Sequence, residues 1–250
     1  MRRRAASCCL VLLMIPAALV AYFWFTVWHA EHTNDERQRD ALASIVRRGH
    51  ETARDTGRAL TASGSSADVD ADALTGVIWR HSKAPLIDYD PTRRTFTATV
   101  REVVHVDQEA VLLNSGPLPV ARCLRFTFAH GSGSVWTSAV AVRDDAMCRA
   151  SASIASWAHF AASRIGNMDA KDLTLAGARR ALDPAGTLGH YDVRTVVRQG
   201  GTAVVTVLIR DTRAADATAE QCYRFVRNLD PEHRGEDVTT VPLADCPQAA

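Results

Sequence analysis

Lysine is nearly absent: the 250-residue chain has two, against 27 arginines. The bias reads as codon usage in a GC-rich genome rather than as a functional patch. The 28 acidic residues offset the basic ones and leave a net charge of +1. That near-neutrality argues against a strongly basic nucleic-acid binder, so no nucleic-acid partner is expected. Several motifs are also missing. There is no Walker A loop, no G-x-G-x-x-G after a strand, no H-E-x-x-H, no EF-hand loop and no C-x-x-C pair. No metal and no cofactor are therefore expected. With 14 glycines, 9 prolines, 47% hydrophobic and 23% charged residues, collagen-like and disordered chains are excluded as well. The length suits one large domain or two small ones.

Charge is absent altogether from Ser7 to Trp28, where nearly every position is apolar. About twenty helical residues rise roughly 30 Å, the thickness of a bilayer core. Pro16 lies inside this run, and Tyr22, Trp24 and Trp28 gather at its C-terminal end as an interfacial belt would. Arg2, Arg3 and Arg4 precede it. The positive-inside rule then predicts residues 1–6 in the cytoplasm, a transmembrane signal-anchor at residues 7–28, and the remainder outside the cell membrane. A cleavable signal peptide is the rival. It is disfavoured because cleavage after Ala30 would place Trp28 where a small residue is required. Cys8 and Cys9 lie before the apolar run, which argues against a lipoprotein. Beyond residue 30 there are 26 basic and 28 acidic residues, so no charge-driven partner is implied.

The outer part repeats itself. Cys123-Leu124-Arg125-Phe126 matches Cys222-Tyr223-Arg224-Phe225 at an offset of 99, and Cys148 matches Cys246 at 98. Leu74-Thr75 and Leu173-Thr174, and Pro85 and Pro184, share the offset of 99. These coincidences predict two diverged copies of one unit, residues 34–148 and 149–250. Four cysteines allow three connectivities, and duplication selects the one within copies: Cys123 with Cys148, Cys222 with Cys246.

Each copy reads as two helices followed by three or four antiparallel strands, an α+β lobe. In the first copy, helices are predicted over 35–62 and 70–81. In the second they fall over 151–165 and 169–182, with Ile154, Trp157, Ala158, Ala161 and Ile165 forming a helical stripe. Alternation from Phe96 to Val106 predicts a strand, with Glu102 breaking the pattern at a bulge. Gly200-Gly201 between two strand patterns predicts a hairpin. The cysteine strands come next, and Ser134–Arg143 and Asp237–Leu243 close the copies. Cystatin-like and NTF2-like lobes have a similar order, an analogy of fold that carries no function.

Candidate chemistry is sparse. His29 and His32 stand at i and i+3 just after the apolar run; a metal would need a third ligand, and interfacial polar residues are the simpler reading. His130-Gly131-Ser132-Gly133-Ser134 lies between strand patterns and reads as a hairpin turn rather than a nucleophile elbow. Asp88, Asp90, Glu102, Asp107 and Glu109 supply carboxylates near one strand. Ser63–Ser66 reads as a linker. Arg125 and Arg224 are the charged residues repeated within the cysteine motif. Either they pair with carboxylates of their own lobes or lie on the solvated sheet face, or they bind a carboxylate or phosphate ligand.

The arginine start, the Cys8–Trp28 span, the Arg/Ala-rich helix after it and the paired cysteines together resemble single-pass, membrane-anchored proteins of high-GC Gram-positive bacteria. The resemblance covers the full length on generic motifs and implies no activity, so no functional residue is carried over from it. The expectation is an anchored extracytoplasmic binding or interaction protein, not an enzyme, held in the lipid bilayer through residues 7–28. Its partner would be an envelope protein or a small ligand. An envelope hydrolase, with His130, Ser132 or the Asp88–Asp90 carboxylates in an inter-lobe cleft, is the first alternative. An assembly subunit packing through Ala17, Ala18 and Ala21 is the second.

Overall fold

The computed structural model describes residues 2–63, 70–109, 116–131, 135–186, 189–211, 219–230 and 238–247, with backbone only for residues 2–13. Residues 64–66 of the linker, the Ser132–Ser134 turn and the side chains of Arg2, Arg3, Arg4, Cys8 and Cys9 lie outside the described residues.

The chain is mixed α+β. Helix α1 (Arg2–Ala62) and α2 (Ala71–Ser82) precede strands β1 (Leu86–Asp90), β2 (Thr95–Asp107), β3 (Pro117–His130) and β4 (Trp136–Arg143). Helices α3 (Arg149–Asn167) and α4 (Leu175–Leu182) precede β5 (Tyr191–Gln199), β6 (Thr202–Asp211), β7 (Ala219–Asn228) and β8 (Thr239–Leu243). The strands form two four-stranded antiparallel sheets, ordered β1-β2-β3-β4 and β5-β6-β7-β8. The same order of elements therefore occurs twice.

The described residues do not show the expected transmembrane helix. From Met14 onward, where side chains are described, no helix is long and apolar enough to cross a membrane. The first part of the apolar run lies before Met14, and charges begin soon after Trp28, so the described part of the run is short. The apolar run and the helix predicted over 35–62 belong to one element, since α1 is continuous from Arg2 to Ala62.

Local chemistry accounts for the helix ends. Asp70 caps α2 by accepting from the Asp72 amide, and Arg80 and His81 complement the dipole at the other end. Lys83 then adopts φ 52° and donates its amide to the Trp79 carbonyl at 2.9 Å. Thr174 caps α4 through the Gly177 amide at 3.1 Å. Thr75, its counterpart at an offset of 99, lies inside α2 instead. A separate 3₁₀ turn, Ala170–Asp172, stands in the second copy where α2 begins in the first. Gly200 takes φ +58° at the β5–β6 turn, the conformation for which the glycine pair was read. Strand β2 runs on through Glu102, and its burial alternates from Thr95 to Asp107 with the even-numbered residues the more buried, so Glu102 does not break the pattern.

Backbone contacts divide the chain into two compact units, Met1–Ile45 with Val103–Ala121, and Val46–Glu102 with Arg122–Ala250. Within the first, Asn34 clamps the Glu109 backbone. Its Nδ2 donates to the Glu109 carbonyl (3.2 Å) and its Oδ1 accepts from the Glu109 amide (2.8 Å). Arg37 adds a bond to the Asp107 carbonyl at 3.1 Å and an ion pair with Glu109 at 2.9 Å.

The second unit holds the bulk of both sheets. Phe96, Leu124, Phe126 and Phe128 bury one face of the first sheet, as do Ala53 and Leu60 of α1. Gly49 lets α1 come close: a Cβ there would meet Leu124 Cδ1 at 2.8 Å. Around the second sheet, Ile154, Ala158, Ala161 and Ile165 of α3 pack with Ala178 and Leu182 of α4, Val205, Val207 and Ile209 of β6, and Tyr223 and Phe225 of β7. Burying a side chain of this size contributes roughly 1.5–3 kcal/mol. Polar bonds tie the two sheets together. Gln221 accepts from the Ile87 amide at 2.7 Å and donates to the Leu243 carbonyl at 2.7 Å. Ser151 donates to the Thr99 carbonyl at 2.8 Å. Asp72 accepts from the Ala244 amide at 2.7 Å.

Candidate functional site

Cys123 is bonded to Cys148 and Cys222 to Cys246, with Cα–Cα distances of 5.5 and 5.4 Å and separations of 25 and 24 residues. Each bridge ties a central strand to the segment after its sheet, and three of the four cysteines are buried.

The strand register places the other predicted residues. Opposite residues of an antiparallel pair share a face. Leu124, Phe126 and Phe128 therefore fill the core while Arg125, opposite Ala141, stands on the outer face of the first sheet. Asp88, opposite Thr97 on β1, lies on that face too. Crowding by the protein pushes the Asp88 carboxyl above its ordinary range, and Arg125 pulls it back in part. The structure thus relates Arg125 to a carboxylate of its own copy. Arg224 is exposed, lies opposite Thr206 and Val241, and among the described residues stands outside the ion pairs of its sheet. Those pairs join Asp192 to Arg194 (3.2 Å) and to Arg210 (3.6 Å), and Arg210 to Glu220 (3.2 Å).

Four histidines are engaged with aromatic rings. His29 stacks on Phe25 with centroids 6.0 Å apart, and His32 on Trp28 at 5.8 Å. His32 also lies 3.3 Å from Glu36. His130 meets the edge of Trp136 at 5.1 Å. Sequence reasoning passed over His190. It is buried, stacks on Trp157 at 4.5 Å, and its Nδ1 lies 3.2 Å from the Arg210 carbonyl. The Tyr191 hydroxyl beside it donates to the Trp157 carbonyl at 3.2 Å, and burial pushes that phenol up to about 12 against a smaller opposing effect of Arg164. Among the described residues, no three His, Cys, Asp or Glu side chains converge to hold a metal ion.

Two surface features stand out. The first is the exposed apolar surface of α1: Met14, Leu19, Val20, Tyr22 and Trp24 keep 67, 63, 67, 69 and 76% of their area accessible. The second is an open groove of about 940 Å³ between α1 and the start of β4. Glu51, Arg54, Asp55 and Arg58 line its helical wall, and Val135, Trp136 and Ser138 its strand wall. Thr61 closes one end, its hydroxyl accepting from the Trp136 amide at 3.1 Å. The sequence held no signal for this groove, because its walls are some 80 residues apart.

No family model, curated protein or solved structure matches this chain.

Proposed function

We propose that the chain is a membrane-anchored extracytoplasmic binding protein, built from a duplicated disulfide-closed α+β unit. The observation that carries this reading is the apolar surface of α1. Five large side chains between Met14 and Trp24 each keep more than 60% of their area accessible on one continuous helix. Soluble proteins rarely leave so large a contiguous apolar surface facing water. With the uncharged residues 7–13 it completes a run long enough to span a bilayer. The arginines before the run favour a cytoplasmic N-terminus. Two disulfides beyond it suit an oxidising compartment. The element order α-α-β-β-β-β occurring twice supports the duplication. No observation favours the hydrolase or assembly readings over this one.

The test is topological. Membranes of a Gram-positive host making the full chain are extracted with alkaline carbonate, intact cells are shaved with protease, and the peptides are mapped without reduction. Retention in the membrane, loss of residues 31–250 to the protease and the Cys123–Cys148 and Cys222–Cys246 cross-links are expected. Free thiols in a protease-protected C-terminal part would invert the topology and overturn the reading.

A further inference from the structure

Two sheets have four edge strands: β1, β4, β5 and β8. An open edge presents a row of unpaired backbone groups, a template for another strand. Three of the four edges are blocked. On β1, the Ile87 amide is taken by Gln221 at 2.7 Å. On β5, the register shifts between Val193 and Thr195, and Arg179 donates to the Val193 carbonyl at 3.3 Å. Strand β8 has five residues, one of them Pro242.

Strand β4 differs. Its sequence Trp136-Thr-Ser-Ala-Val-Ala-Val-Arg143 carries no proline and no charge before the last residue. Its hydrogen-bonding phase follows from the turn and the register. Gly131 donates to the Val135 carbonyl at 2.9 Å, so the odd-numbered residues of β4 face β3. The even ones, 136, 138, 140 and 142, then point their backbone groups outward. Thr61 confirms this phase by capping the outward amide of Trp136. Among the described residues, nothing meets the outward groups of Ser138, Val140 and Val142. Of the three, Ser138 lines the groove whose helical wall carries Glu51, Arg54, Asp55 and Arg58. Asp55 and Arg58 pair with each other, leaving Glu51 and Arg54 exposed with no ion partner among the described residues.

We propose that the β4 edge is the site through which this chain binds a partner, by adding an extended segment of another protein as a fifth strand. This deepens the binding reading, on which it rests. Only extended backbone supplies donors and acceptors at alternate residues to match Ser138, Val140 and Val142. Charge sets the occupant's side chains. Gly49 approaches Leu124 and Val140, and Gly57 approaches Trp136 and Ser138, so α1 runs antiparallel to β4. A strand antiparallel to β4 therefore passes Glu51 first and Arg54 second. The fitting segment carries a basic residue and, two positions later, an acidic one, both on the face toward α1. The residues that alternate with them lie opposite Ala139 and Ala141 and are apolar.

The test uses the full chain in nanodiscs and a labelled, capped peptide Thr-Val-Lys-Val-Asp-Val-Thr, followed by fluorescence anisotropy. N-methylation of the lysine and aspartate amides, which face β4, is expected to weaken binding at least tenfold. N-methylation of the valine amides is expected to leave it unchanged. Exchanging lysine and aspartate is expected to weaken it several-fold. Val140→Pro is expected to abolish binding while both disulfides form, because the Val140 amide serves no bond within the sheet. No binding of the peptide to the native chain, or binding indifferent to backbone methylation, would overturn the proposal. A concentration-dependent dimer lost in Val140→Pro would also overturn it, by making a second copy the occupant. None of these failures touches the topology test, which judges the anchored reading separately.

Discussion

The Tyr223 hydroxyl donates to the Pro85 carbonyl, joining the central strand of the second sheet to the segment that enters the first. Both groups are buried, Trp79 of α2 meets the Tyr223 ring edge-on at 6.5 Å, and burial pushes the phenol well above its ordinary range. Tyr223→Phe strands the Pro85 carbonyl without a donor. An unsatisfied buried acceptor costs about 1–3 kcal/mol. Urea unfolding of the variant is expected to show that loss as a lower midpoint with an unchanged slope.

Gln221 holds the Ile87 amide and the Leu243 carbonyl at once, both at 2.7 Å, besides a longer bond from its Nε2 to the Cys222 carbonyl at 3.3 Å. Gln221→Leu orphans both, so its loss is expected to exceed that of Tyr223→Phe, at roughly 2–4 kcal/mol. Hydrogen exchange gives a more specific readout. The Ile87 amide is expected to exchange much faster in the variant, while amides of β6 keep their protection.

The disulfides close loops of nearly equal length, 25 and 24 residues. The chain-entropy argument therefore assigns each about 3 kcal/mol. Paired alanine replacements of Cys123 with Cys148, and of Cys222 with Cys246, are expected to lower stability by similar amounts, each read by denaturant titration. A strongly unequal pair of values would show that strain or unfolded-state structure, and not loop closure, sets their worth.

Asp88 titrates higher in the folded protein than in the unfolded chain, since crowding outweighs Arg125. A carboxyl raised in this way binds more protons when folded, so its contribution is present at low pH and is lost as pH rises through the ordinary carboxylate range and above it. Asp88→Asn is expected to flatten the fall in Tm over that window. Arg125→Gln removes the opposing charge and is expected to steepen it. Differential scanning calorimetry of the three proteins across the acidic range, from below the ordinary carboxylate pKa to about two units above it, checks both signs.

Gly177 sits where a Cβ would come 1.9 Å from the Asp172 carbonyl oxygen. That neighbour is backbone and cannot swing aside. Gly177→Ala is expected to push apart the Ala170–Asp172 turn and the cap of α4, destabilising by more than about 1 kcal/mol although alanine is the better helix former. Gly49→Ala is expected to cost less, because the atom it meets is a rotatable leucine methyl. The two melting temperatures, measured side by side, decide the point.

Much of the fold could be read from local pattern. The stripe Ile154, Ala158, Ala161 and Ile165 marked α3 because one face of a helix must be apolar to be buried. Gly200-Gly201 marked a hairpin because only glycine takes such φ values freely. The offset of 99 chose the cysteine pairing because a duplicated unit keeps its own bonds. Strand β1 was missed: Ile87 and Tyr89 alternate with Asp88 and Asp90 over only five residues, too short a stretch for periodicity to stand out.

The sequence by itself settled which segments are apolar, where the charge-free run lies and which cysteines belong together, since these depend on neighbours along the chain or on the repeat. Only the tertiary structure decided the rest. Gln221 and Ile87 are 134 residues apart and Tyr223 and Pro85 138, so no local pattern foretells their bonds. The same holds for the β4 edge. Its residues read as any strand, and that it lies outermost, with alternate amides pointing away from β3, follows from strand order and register, which packing and turn geometry fix together.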